Sequence, residues 1–431
     1  LEKSYFLLYC ASLASLIIAS FRIACLVSLD KWLIQMSSGC LLLGWILFGS
    51  KGWGSDLFGK TPIPSVLALG IVIWGVYYVL LGKPAKGYLL FGMGSTIQFL
   101  VGFMAGISFI PALIISQEES SGITVFKNWK RKIALPIFTW VFFLMLIYIP
   151  MVLQERVADP HESTFAITHI FGNVRVPWHW LPSTAPPSTW LNNLAFYAGV
   201  SMLTWPDKPY LNKKLATVLI LAMWIGVAGI VVNYVFVELI PVEFIGKLQF
   251  QRILPFSHLA AYLLLLAVLS RKAESCINVI TLLYYVISPF SMFYGYALLA
   301  ASIADRYLER AKQVASVNNR YKTIVYSLLL AVLVASQLAH LRSTATILVG
   351  IQIAGFVCIS IIAILLLRYS INTRSRKSVL LLASVAGLSI VTLCMLILIS
   401  NGSYSRVGNF SRIAIRPSRI SLETPEYRLA K

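Results

Sequence analysis

Asp159, His161 and Glu162 stand within four residues of one another, and nowhere else does this chain set acid and imidazole so close. A carboxylate in such a group can act as a general base, or share a divalent cation with the histidine. The spacing is not diagnostic, because a solvated turn has the same composition. A second group follows in Arg175-Val-Pro-Trp-His-Trp-Leu-Pro182. The guanidinium offers a planar fork suited to phosphate, and tryptophan rings favour the headgroup layer of a bilayer. Arg175, His179 and Trp180 together suit a lipid-linked phosphate or sugar. An interfacial aromatic belt also explains the tryptophans, although not Arg175 and His179. The third group is Arg252 with His258, at the start of an apolar run. Ionisable residues so placed are costly unless paired or functional, and Glu238 or Glu243 is the available partner.

The elements that must position these residues are membrane helices. The chain is 58% hydrophobic and 12% charged with a mean hydropathy of +0.80, whereas a soluble domain carries about 25% charged residues. Residues 154–190 are the one long polar interruption in the first two thirds of the chain, and hold three of its five histidines. A loop of that length is usually functional or disordered, and its prolines and aromatics argue against disorder. An inert cap over the bundle is the alternative. The net charge of +20 does not indicate nucleic acid, since the basic residues sit in short segments between apolar runs, which is the signature of membrane orientation. Six cysteines without a CxxC spacing set no metal site. Walker A, dinucleotide-binding, HExxH and GxSxG patterns are absent, which removes nucleotide-driven transport and soluble-type hydrolase chemistry.

A span of about 20 apolar residues crosses a bilayer. That rule predicts an all-α, polytopic transmembrane helix bundle of about 11–13 membrane segments with a long outer-face loop. The helices fall near 5–28, 32–49, 64–82, 88–115, 133–153, 190–205, 215–238, 254–270, 323–340, 344–367 and 378–400. Residues 277–303 carry Ser288-Pro289 near their middle, where proline removes a backbone donor. Segments 50–63, 116–132, 206–214, 271–276, 304–322 and 368–377 hold 20 Lys and Arg against 8 in the intervening ones, so the first set is expected in the cytoplasm. Parity favours 277–303 entering and leaving on one side, as two half-helices meeting at Pro289, with one kinked span as the alternative. It places the N-terminus inside and 154–190, 239–253 and 401–431 outside. The organisation expected is a bundle over 1–400 and an outer tail over 401–431 leading to a further soluble domain, the chain being a piece of a longer one. Gly102 and Gly106, at GxxxG spacing, predict close helix approach within the bundle.

At Arg175-x-Pro177-x-His179-Trp180-x-Pro182 and again at Gln249-Phe-Gln-Arg252-Ile-Leu-Pro-Phe256, the chain resembles a family of bacterial multi-spanning membrane proteins that are similar in layout to GT-C-type glycosyltransferases. That family's pattern has two adjacent histidines, and Trp178 stands in place of the first. The likeness covers roughly residues 130–431. It implies an enzyme of the bacterial inner membrane that moves a sugar from a polyprenyl-phosphate-linked donor to an outer-face acceptor. Asp159 or Glu162, with His161 beside them, would then be base or ligand to a divalent cation. Arg175 and Arg252 would hold phosphate, with His179, Trp180 and His258 completing the substrate site. A lipid or polysaccharide transporter and a non-catalytic envelope assembly protein are the competing readings.

Overall fold

The computed structural model describes residues 2–48, 64–115, 133–158, 181–204, 211–240, 242–274, 279–291, 293–314 and 324–333. Every described element is helical, and no strand occurs among the described residues. Four helices are long and apolar enough to cross a membrane: Leu7–Val27, Leu135–Gln154, Lys213–Leu239 and Phe244–Lys272. The expected helices at 344–367 and 378–400, residues 334–340 of the one at 323–340, and the tail 401–431 lie outside the described residues.

In chain order the elements are α1 (Glu2–Val27), α2 (Trp32–Phe48), α3 (Pro64–Leu80), α4 (Pro84–Ile97), α5 (Phe99–Ser108), α6 (Ile110–Ile115) and α7 (Leu135–Ala158). There follow α8 (Pro187–Thr204), α9 (Lys213–Asn233, continued by a wider π turn Tyr234–Leu239) and α10 (Glu243–Leu248). A 3-10 turn, Phe250–Ile253, leads into α11 (Leu254–Glu274). Last come α12 (Val279–Ile287), a 3-10 turn Ser288–Phe290, α13 (Tyr294–Val314) and α14 (Ile324–Leu333).

The axis of the bundle is α11. Every residue from Ile253 to Ser270 is buried, as befits a helix that is apolar all round. It is packed by α1, α2, α5, α8, α9 and α12. Close approach needs small residues, and α9 supplies them: a Cβ on Gly226 would lie 2.3 Å from Ser257 Oγ, and one on Gly229 2.7 Å from the Ile253 side chain. The Ser257 hydroxyl donates to Ala222 O at 3.1 Å. Because 222 faces 257 while 229 faces 253, α9 and α11 are antiparallel.

The run 88–115, expected as one span, is broken at Gln98, and this corrects the sequence reading. Gln98 is extended (φ −143°, ψ 105°), and its N–H closes α4 by donating to Gly94 O. Tyr88 donates to Gly106 O at 2.9 Å, whereas a continuous helix would hold those residues about 27 Å apart at 1.5 Å per residue. The two pieces are therefore a tight antiparallel hairpin. Its pairing rests on Gly102, where a Cβ would meet Phe91 O at 2.1 Å, while Gly106, where a Cβ would meet Trp140 at 2.3 Å, admits α7. The GxxxG pair thus serves packing within the bundle, as expected.

This extra reversal changes the orientation of everything before it. Phe99 stacks on Tyr148, and Phe103 on Trp140, so α5 runs antiparallel to α7. Gly75 packs on Gly87 and Gly94 on Val72, so α3 runs antiparallel to α4. In consequence Pro64 starts α3 near the Tyr148 end of α7, and Lys83 and Lys86 sit toward its Leu135 end. Tyr148 also meets Phe244 edge-on at 6.2 Å, so the start of α3 and the start of α10 share one end of the bundle, while the segment 50–63, expected on the side opposite 239–253, lies outside the described residues. Lys83 and Lys86 instead lie toward the Leu135 end of α7.

The reversal expected at Pro289 is present. Tyr284 donates to Ala297 O at 2.8 Å, and Tyr285 to Asp305 Oδ2 at 2.8 Å; in one straight helix these pairs would be about 20 and 30 Å apart. The returning helix α13 then packs parallel to α8, with Asn192 against Gly295 and Gly199 against Ser302.

Cysteines placed at Lys83 and at Ser183, in a variant whose native cysteines are replaced by serine, should label from opposite sides of the membrane in intact cells. Labelling of both from one side would restore the unbroken span over 88–115.

Candidate functional site

The C-terminal end of the long polar segment is anchored at the Tyr148 end of the bundle. Trp190 Nε1 donates to Pro182 O at 3.1 Å, folding the start of α8 onto the segment that precedes it. Ser183 N donates to Glu238 Oε1 at 2.8 Å. Glu238 therefore holds the segment and makes no ion pair with Arg252. Residues 159–180 lie outside the described residues, and with them Asp159, His161, Glu162, Arg175, His179 and Trp180. The Glu243 side chain does so as well.

Arg252 and His258 are described, and they occupy different surroundings. Arg252 belongs to the 3-10 turn that joins α10 to α11. Gln249, the residue before that turn, is left-handed at φ 47° and ψ 60°, a conformation that costs a residue with a Cβ about 1–2 kcal/mol. Its side chain is then in place to accept from Arg252 Nε at 2.6 Å. Among the described residues the two terminal nitrogens of Arg252 have no partner.

His258 lies deeper and is sealed. Its Nδ1 is 2.9 Å from Tyr197 Oη and 3.1 Å from Leu254 O, and its Nε2 is 3.4 Å from Tyr294 Oη. Tyr294 in turn donates to Asn193 Oδ1. A carboxamide oxygen can only accept, so Tyr294 gives its proton to Asn193, and the roles of the two imidazole nitrogens toward Tyr197, Leu254 O and Tyr294 follow the tautomer. Phe196 stacks on the imidazole at 5.3 Å. The neighbouring Asn192 accepts from the N–H groups of Gly295 and Tyr296 at 2.9 and 3.3 Å, capping a half-helix end buried away from water. His258 thus ties the tip of the Pro289 hairpin to α8, and Arg252 is left as the described polar group nearer the loop anchor at Glu238.

A second buried group was not visible as such in the sequence. Lys272 at the end of α11 pairs with Asp305 of α13, and Asp305 also accepts from Tyr285 at 2.8 Å and Tyr326 at 2.7 Å. The Lys272 ammonium lies 5.2 Å from the centre of the Tyr285 ring. Four helices, α11 to α14, meet in these four side chains. Sequence counting had treated Lys272 and Asp305 as ordinary charges of cytoplasmic segments. No sequence signal pairs residues 33 positions apart.

No group of three or more His, Cys, Asp or Glu gathers among the described residues. No family profile, no curated protein and no solved structure matches the chain.

Taking ions out of water costs several kcal/mol each, so removing one partner of a buried pair is worse than removing both. Lys272→Ala or Asp305→Ala alone should destabilise the protein by about 3–5 kcal/mol, read as loss of thermal stability in detergent. The double variant Lys272→Met/Asp305→Leu should recover most of it. A double variant that loses the sum of the two single losses would show that the pair is screened by water.

Proposed function

We propose that this protein is a transferase of the bacterial inner membrane, acting at the Tyr148 end of its bundle on a lipid-linked, phosphate-bearing substrate. The finer reading is a GT-C-type glycosyltransferase of about 11–13 membrane segments that takes a sugar from a polyprenyl-phosphate donor. One observation carries the lipid-phosphate assignment. Arg252 stands at the head of the central helix, braced through Nε by a strained glutamine, with its terminal nitrogens unbonded among the described residues. A guanidinium so held is pre-organised for two parallel bonds to a phosphate.

The chemistry belongs to residues of the long polar segment, whose C-terminal end is fastened beside that helix by the Trp190 and Glu238 bonds. In this reading Asp159 or Glu162 accepts the proton of the acceptor hydroxyl, with His161 adjacent, and Arg175 supplies a second phosphate contact. His179 and Trp180 bound the sugar. A divalent cation, if the reaction uses one, would take the Asp159, His161 and Glu162 side chains as its donors, since no other acidic and imidazole group of the chain is so close in sequence. His258 is better suited to positioning the Pro289 hairpin than to touching substrate, because its described neighbours enclose it.

Transport is the second reading, and a different observation favours it. A broken hairpin latched by a buried Lys272–Asp305 pair is the kind of element that transporters use, with half-helices and ionisable groups at membrane depth.

Charge-assisted bonds contribute about 1.5–3 kcal/mol each. Arg252→Ala should therefore weaken binding of a polyprenyl phosphate to the protein in nanodiscs by roughly 10-fold to 150-fold, and Arg252→Lys should restore only part of it. Unchanged binding in a folded Arg252→Ala protein would remove the lipid-phosphate assignment. Exchange of lipid across the bilayer without consumption of a sugar donor would favour transport.

A further inference from the structure

Beside Arg252 lies a polar side chain that the folded protein leaves unsatisfied. Gln251 is 1% exposed, and neither its Nε2 nor its Oε1 has a hydrogen-bond partner among the described residues. It sits in the 3-10 turn Phe250–Ile253, which is wedged between α5 and α9: Phe250 meets Phe103 edge-on at 6.4 Å, and Gly229 is glycine because a Cβ there would approach Phe250 O at 3.2 Å and the Ile253 side chain at 2.7 Å. A carboxamide buried with both ends unbonded is among the costlier features a fold can hold, and the great majority of buried polar groups are bonded. Leucine or methionine would fill the same space without that cost. The turn therefore carries two departures from what stability alone would select, left-handed Gln249 and unbonded Gln251, on either side of Phe250. Such departures cluster where a ligand is held.

We infer that the Gln249–Arg252 turn recognises the group attached to the lipid's phosphate, with Arg252 on the phosphate and Gln251 on hydroxyls of a sugar. The inference rests on the lipid-phosphate reading above and adds Gln251 as the residue that recognises the headgroup. The argument is one of donor and acceptor matching. An ionised phosphate offers acceptors alone, so it can satisfy Nε2 and leaves Oε1 unbonded. A lipid tail offers neither. A hydroxyl-bearing group gives a donor to Oε1 and an acceptor to Nε2 together, and a sugar linked through phosphate brings hydroxyls beside the oxygens that Arg252 binds. A site that bonds a hydroxyl rejects the ligand lacking it, because the buried amide is then left unpaired.

The test compares two probes, a polyprenyl phosphate and the same lipid carrying one hexose, on the full chain in nanodiscs. Wild type should prefer the hexose-bearing lipid. Gln251→Met should lose that preference, with affinity for the hexose lipid falling about fivefold to tenfold and affinity for the bare phosphate lipid unchanged, while thermal stability rises. Gln251→Glu, which keeps shape and acceptor, serves should the methionine variant fail to fold, and is expected to lower the preference as well. Arg252→Ala should weaken both lipids alike. A preference that persists in the Gln251 variants, or a wild type that does not distinguish the probes, overturns the role of Gln251. Unaltered binding of both lipids in Arg252→Ala instead overturns the underlying phosphate reading, so the two failures are told apart.

Discussion

The structure depends on one constraint, that α11 has no face in contact with solvent. A helix enclosed on every side must satisfy its own backbone, and any polar side chain on it must find partners on its neighbours. From Ile253 to Ser270 the residues are buried without exception. The polar groups carried there are answered one by one: Ser257 by Ala222 O of α9, His258 by Tyr197 of α8 and Tyr294 of α13, and, just past that run, Lys272 by Asp305. Each answer fixes the rotation and height of a surrounding helix. The arrangement of α8, α9 and α13 about the axis follows from these few bonds together with the glycines that admit close contact.

The two breaks in the bundle obey the same rule by different means. At Gln98 the chain reverses with a single extended residue, whose N–H is bonded back into α4, so the reversal leaves little backbone unsatisfied. At Pro289 the break is wider, and the fresh helix end at Tyr294 needs outside help. Asn192 provides it by accepting from two N–H groups. Irregular backbone within an apolar bundle persists only where protein groups re-satisfy it. The Pro289 hairpin is then held at its tip by the His258 chain and at its base by the Lys272–Asp305 pair.

These bonded groups differ in kind from the turn that opens α11. The His258 chain and the Lys272 cluster have their polar atoms largely matched, as stable buried networks do. In the Gln249–Arg252 turn a left-handed glutamine, two unbonded guanidinium nitrogens and an unbonded carboxamide lie within four residues. Matched groups organise a fold, whereas unmatched groups of this density are the part of it that an incoming ligand can still engage. That contrast is what separates the positioning role assigned to His258 from the binding role assigned to Arg252, although the two residues stand only six apart in sequence.

Composition and apolar run length by themselves determined that the chain is a helical membrane protein and where most of its described helices lie, and charge asymmetry favoured a turn at Pro289 over a kinked span, because length and charge asymmetry are local properties that add along the sequence. The same reasoning marked Arg252, since an arginine at the head of an apolar run is conspicuous wherever it points. It failed at Gln98, where a run long enough to span holds a reversal that depends on Gly102 meeting Phe91. Tertiary structure alone decided that reversal and the orientation of the three helices before it. It alone joined Lys272 to Asp305 and Tyr197 to His258, and left Gln251 without a partner. Pairing across 33 and 61 residues is set by which helix faces meet, and no pattern confined to one helix carries that information.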